Sequence, residues 1–183
     1  CDQALRLDPA NSTYYVDRGH VHEEAKNYDK ALADYDKAIQ IKPTSRAYRR
    51  RAQAYLRLGQ YEKAIADADE AIRLNPAHTG HPIYADAYVC KAVAYLEMAD
   101  YERAVAECSQ AIRVRPKFSW AYMRRADAHA ELENYDEAIA DCNQAISLTA
   151  MSSLATSCAY ATRAHVHMKM ADYEKAIADY GKA

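Results

Sequence analysis

Between Arg46 and Pro76 the side chains fall into two helical stripes with a break between them. Tyr48, Arg51, Ala52 and Tyr55 are spaced i, i+3, i+4 and i+7, as on one face of an α-helix. After Leu58-Gly59-Gln60 a second stripe opens at Tyr61 and runs through Ala64, Ile65, Ala68, Ala71 and Ile72. Pro76 ends it, because proline has no N–H and its ring clashes with the preceding turn. The pattern predicts two antiparallel helices joined by a tight turn.

The same pattern returns along the whole chain. A tyrosine opening the second helix stands at 28, 61, 101, 135 and 173, at intervals of 33, 40, 34 and 38 residues. Three residues later comes Ala31, Ala64, Ala104, Ala138 or Ala176, and seven after that Ala38, Ala71, Ala111, Ala145 or Ala183. The first helix has its own small residue, Gly19, Ala52, Ala92, Ala126 or Ala164, with a tyrosine four positions before it (Tyr15, Tyr48, Tyr88, Tyr122, Tyr160). Independent features that keep phase through five copies are the mark of a repeat array.

An aromatic, then Leu-Gly, then Tyr, Ala, a further aromatic and a closing Pro resembles the tetratricopeptide repeat. The resemblance covers essentially the whole chain. It departs in having Tyr for the opening Trp, Arg or Lys before the small residue, and His22, His129 and His167 where Tyr55 and Tyr95 keep an inward aromatic. The resemblance implies an all-α fold: a right-handed superhelical solenoid of antiparallel helix pairs, with about five repeats and a partial N-terminal helix. The divisions are 1–9, the end of a preceding second helix; 12–44, repeat 1; 45–78, repeat 2; 79–84, an inserted loop marked by Gly80 and Pro82; 85–118, repeat 3; 119–152, repeat 4; 153–156, an insertion; and 157–183, an incomplete repeat 5. The stretch 149–156 reads as spacer or as an extension of an adjoining helix. Residues 1–9 enter in mid-unit and Ala183 stops inside one, so the expectation is a piece of a longer array, with uncapped ends that could self-associate end to end.

Ala52 opposite Ala64 and Ala71 lets the two helices approach closely. The residue before each small one is basic: Arg18, Arg51, Lys91, Arg125, Arg163. An unpaired charge on that inward stripe would be costly. The second helix carries an acid at a matching place: Asp34, Asp67, Glu107, Asp141, Asp179. Five ion pairs are therefore expected to tie the helices of each unit.

Composition narrows the function. With 4 Gly and 5 Pro in 183 residues there is little material for hairpins, so no strands are expected. The net charge of −2 argues against a general nucleic-acid binder. No apolar run approaches the roughly 20 residues a membrane span needs, and no signal-peptide pattern opens the chain. Five scattered cysteines fit a reducing compartment, so a cytoplasmic location is expected. There is no phosphate-binding glycine loop, no Gly-x-Ser-x-Gly and no His-Glu-x-x-His. His165 and His167 point in different directions on a helix, His78 and His81 are too few for a metal site, and Cys108 and Cys142 read as packing. No enzyme, cofactor or metal is expected.

Binding is what remains. In the family it resembles, first helices line a concave face that grips an extended or helical peptide. Projected here, that face holds Arg46, Arg49, Arg50, Gln53 and Arg57, then Asp86, Val89, Cys90, Val93 and Glu97, then Trp120, Met123, Arg124, Asp127 and Glu131. The site residues expected are Arg46, Arg49, Arg50, Gln53, Arg57, Val89, Val93, Trp120, Met123 and Arg124. Such a groove suits a protein or peptide partner that is acidic and carries an apolar anchor. Against this stands a solvated charged face whose arginines are neutralised by Asp17 or Asp86. Two alternatives follow from the resemblance. One is a co-chaperone-type receptor for the acidic C-terminal tail of Hsp70 and Hsp90 chaperones, whose clamp positions fall on Arg49, Gln53, Cys90, Trp120 and Arg124, with Cys90 and Trp120 departing from the clamp. The other is a targeting or scaffolding arm of a larger enzyme, as in repeat-bearing glycosyltransferases.

Overall fold

A computed structural model describes residues 8–74, 82–149 and 153–183. Among them are ten α-helices and no strand: α1 (Ser12–Glu24), α2 (Tyr28–Ile41), α3 (Ser45–Arg57), α4 (Tyr61–Arg73), α5 (Pro82–Glu97), α6 (Tyr101–Val114), α7 (Ser119–Glu131), α8 (Tyr135–Thr149), α9 (Ser153–Lys169) and α10 (Tyr173–Tyr180). Every second helix opens at the recurring tyrosine. The chain divides into two compact units, Cys1–Ala94 and Tyr95–Ala183. Within them, α1 packs on α2, α3 on α4, α7 on α8 and α9 on α10.

Five three-residue turns follow the first helices of the repeats, and all five use the same backbone device. The middle residue is left-handed: Lys26 (φ 58°), Gly59 (69°), Ala99 (57°), Glu133 (61°) and Ala171 (58°). The next amide reaches back to a carbonyl five residues earlier, as in Asn27 to His22 at 2.8 Å, Gln60 to Tyr55 at 2.9 Å and Asn134 to His129 at 2.9 Å. These are Schellman closures, which occupy carbonyls that a helix end would leave bare. Only one turn has glycine there, so four non-glycine residues accept a conformation that costs roughly 1–2 kcal/mol.

The cores are built from small residues. In the first unit Ala52, Ala68 and Ala71 meet Ala87 and Cys90 of α5, with Tyr48, Leu56 and Ile72 around them. In the second, Ala126, Ala130, Ala138 and Cys142 pack with Val166 of α9. Repeat 1 solves the same crossing differently. A Cβ on Gly19 would lie 2.6 Å from the Tyr35 ring, so glycine in α1 is what admits a large aromatic from α2. Cys90, Cys108 and Cys142 are buried, and burial pushes each thiol up to about 12.

Four of the expected ion pairs are seen as bidentate forks, in repeats 1, 2, 4 and 5. Arg18 meets Asp34 at 2.9 and 2.6 Å, Arg51 meets Asp67 at 2.7 and 2.7 Å, Arg125 meets Asp141 at 2.7 and 2.7 Å, and Arg163 meets Asp179 at 2.6 and 2.7 Å. Each arginine also lies 5.3–5.7 Å from the ring of the tyrosine three residues earlier. A further contact links successive repeats. Arg51 bonds Asp36 at 2.5 Å, Arg125 bonds Ser109 at 3.0 Å and Arg163 bonds Asn143 at 2.5 Å, each acceptor standing eight residues after the tyrosine that opens the preceding second helix. Lys91 follows that inter-repeat rule too, pairing with Asp69 at 2.9 Å. Its expected partner Glu107 belongs to the other unit.

Two local expectations are corrected, those on 79–84 and on Ala183. The stretch 79–84, read as loop, is helical from Pro82 onward, because proline suits the first helical position, where no N–H is needed. Of the stretch 149–156, Thr149 ends α8 and Ser153 opens α9, as the reading of it as helix extension expects. Ala183 lies past the end of α10 and is exposed, unlike Ala38, Ala71, Ala111 and Ala145, which are buried. The expectations on residues 1–7 and on His78, Gly80 and His81 lie outside the described residues.

Candidate functional site

The α3 stripe lies in the first unit, and its five residues are not equivalent. Arg46 is already paired with Asp17 of α1 at 2.7 Å. Arg49 faces Asp86 of α5 at 4.0 Å and keeps 14% of its side chain exposed. Burial draws its guanidinium below the usual arginine range, with Asp86 opposing that shift. Arg49 and Arg50 both direct Nη1 at Gln53 Oε1, at 3.5 and 3.4 Å. Their Nε atoms are buried without a hydrogen-bond acceptor. Arg57, at the end of the stripe, is exposed. On α5, Val93 is half-buried while Val89 is only 6% exposed.

A carboxylate that the sequence reading passed over belongs to this face. Glu23 of α1 accepts a hydrogen bond from the Tyr35 hydroxyl at 2.7 Å, and Arg49 and Arg50 lie within electrostatic reach of that hydroxyl. Burial and Glu23 together push the Tyr35 phenol far above its ordinary value. The signal that could have found it is Gly19, the one glycine at a position otherwise held by alanine.

The second unit carries a different surface. Trp120 is 41% exposed at the start of α7, and the Arg124 guanidinium lies over its ring at 4.6 Å. Arg124 is held at the other side by Asp127, with Nη1 3.0 Å from Oδ2, and burial pushes the Asp127 carboxyl up. Glu131 is taken by Lys169 of α9 at 2.8 Å. Met123 was expected on this face. It is 2% exposed instead and packs with Ala145 and Ala159, because its place on α7 turns it toward α8 and α9. Among the described residues no cluster of three or more His, Cys, Asp or Glu is arranged to hold a metal, and no helix is long and apolar enough to cross a membrane.

Tetratricopeptide repeat family models match residues 12–45 and 45–78, 91–152, and 159–183. The chain belongs to the tetratricopeptide repeat family. A TPR protein from Parabacteroides merdae ATCC 43184 has 25% identity and a TM-score of 0.77, over 99% of this chain and 68% of that one. The type IV pilus biogenesis factor PilW has a TM-score of 0.85 at 17% identity, over 97% of this chain and 79% of its own. A protein SGT1 homolog from Oryza sativa subsp. japonica is 40% identical over 57 residues, which is 31% of this chain and 16% of the relative.

TPR repeats make this chain a protein–protein interaction module, and the TPR fold is in general a non-catalytic one. Within the TPR frame the basic residue before each small residue belongs to the packing, as do Cys90 and Met123. Arg49, Arg50, Gln53 and Arg57 are left as the part of the stripe without a neutralising bidentate partner.

Proposed function

We propose that the α3 face of the first unit, Arg49, Arg50, Gln53 and Arg57 with Val93 of α5 beside it, receives an acidic peptide segment of a protein partner. The observation that carries the reading is that Arg49 and Arg50 converge on one neutral acceptor, Gln53 Oε1, at 3.5 and 3.4 Å and have no bidentate carboxylate partner among the described residues. Carboxylates are the natural complement of such forks. Arg46 is spent on Asp17 and contributes less than the sequence suggested. Trp120 and Arg124 form a separate aromatic and cationic surface on the second unit.

Titration with an acidic peptide bearing one leucine tests this. Binding that weakens with salt and is lost in Arg50→Glu supports it; binding unaffected by that reversal overturns it. The chaperone-tail receptor is a narrower version. It predicts that amidating the peptide's C-terminus abolishes binding, whereas an internal acidic segment is indifferent. Burial of Cys90 at a clamp position that calls for an amide weighs against it. Self-association is proposed through α10, where Tyr173, Ile177 and Tyr180 are exposed apolar side chains. Light scattering that stays monomeric over a concentration series overturns that.

A further inference from the structure

Arg49 and Arg50 are adjacent on α3, and adjacent helical residues point about 100° apart. Their guanidinium groups would ordinarily diverge. Here both turn toward Gln53, four residues beyond one and three beyond the other, and their Nη1 atoms come within 3.5 and 3.4 Å of a single Oε1. Two cationic forks thus share one neutral acceptor through long, weak bonds, while both Nε donors stay bare.

The nearby acids do not resolve this. Asp17 is engaged by Arg46 at 2.7 Å, Glu23 holds the Tyr35 hydroxyl at 2.7 Å, and Asp86 stands 4.0 Å from Arg49. Among the described residues no carboxylate comes within ion-pair distance of Arg50. A single carboxylate has two oxygens and matches one fork. Two forks converging on one point are better matched by an anion with three acceptor oxygens and close to two charges, which is a phosphate monoester.

We propose that the Arg49, Arg50 and Gln53 corner of the first unit is a phosphate-reading subsite for a phosphorylated serine or threonine within an acidic peptide segment. The proposal rests on the peptide-binding reading above and narrows it. Arg57, one turn along, meets the acidic residues that follow. Asp86 on the rim disfavours a second phosphate on the α5 side.

The test is calorimetric titration of the whole chain with three peptides identical except at one central position, serine, glutamate or phosphoserine, at pH 7.5 and pH 5. The phosphoserine peptide should bind about tenfold more tightly than the glutamate peptide at pH 7.5. That advantage should shrink at pH 5, below the second phosphate pKa of about 6. Arg49→Gln and Arg50→Gln should each bring the phosphoserine-to-glutamate ratio toward one, with circular dichroism melting showing that each variant stays folded at the temperature of the titration. Equal binding of all three peptides overturns the subsite and leaves the peptide face standing. Binding of none overturns both. A phosphoserine advantage that survives both substitutions, or displacement by inorganic phosphate at the same concentration as the phosphopeptide, overturns the assignment to this corner or to a peptide-borne phosphate.

Discussion

Replacing Arg51 with methionine tests the argument that the inward basic residues are structural. Methionine keeps the length and apolar stem of the side chain and removes five donors. Asp67 then loses both bonds, from Nε and Nη2 at 2.7 Å each, while its side chain remains 8% exposed. Breaking a buried pair from one side costs 3–5 kcal/mol in general. Arg51 itself is 19% exposed, so a cost of about 3 kcal/mol is expected, the lower end of that range. The lost bond to Asp36 adds little, since Asp36 is half in solvent. For a chain of this size that means a fall in Tm of roughly 6–12 °C.

The effect has a pH signature. Burial pushes the Asp67 carboxyl up, and the Arg51 bonds pull it back. Without Arg51 only the upward push is left. A carboxyl whose folded pKa is raised destabilises fully above that pKa and less as the pH falls through it. The gap between wild type and Arg51→Met should therefore narrow between pH 7.5 and pH 4.5 in urea unfolding followed by circular dichroism. Changing both partners, Arg51→Met with Asp67→Leu, should recover most of the loss, because an apolar pair leaves no buried charge. A single-variant cost below about 0.5 kcal/mol, the range of ordinary surface changes, would refute the assignment. So would a gap that widens on acidification.

Gly19→Ala should destabilise by about 1–3 kcal/mol through overpacking against Tyr35, and Tyr35→Ala, the residue repeat 2 carries at Ala68, should relieve it; independent costs in a double-mutant cycle would show that the two do not meet. Ala99→Gly should stabilise by about 1 kcal/mol, since the left-handed turn already exists and only the Cβ penalty is removed; a lower Tm would place the cost elsewhere.

The helix pairs, their order and their close crossings were legible from the residues alone. Tyrosine, alanine and the basic–acidic partners recur at fixed spacing, and short-range periodicity directly encodes which side of a helix is apolar. The ion pairs could be named for the same reason, because both members sit at constant places in one repeat, and four of them are seen as forks. Tertiary structure decided what periodicity cannot carry. It put Asp36, Asp69, Ser109 and Asn143 against the next repeat, contacts that depend on how one hairpin is set against another. It buried Met123 and Cys90 on a stripe read as outward, because a helix flanked on two sides has a narrower free face than its sequence pattern suggests. It also sorted the arginines: Arg46 and Arg50 are four residues apart on one helix, but only Arg46 finds an acid on a neighbouring helix, and charge pairing across helices is a matter of distance in space.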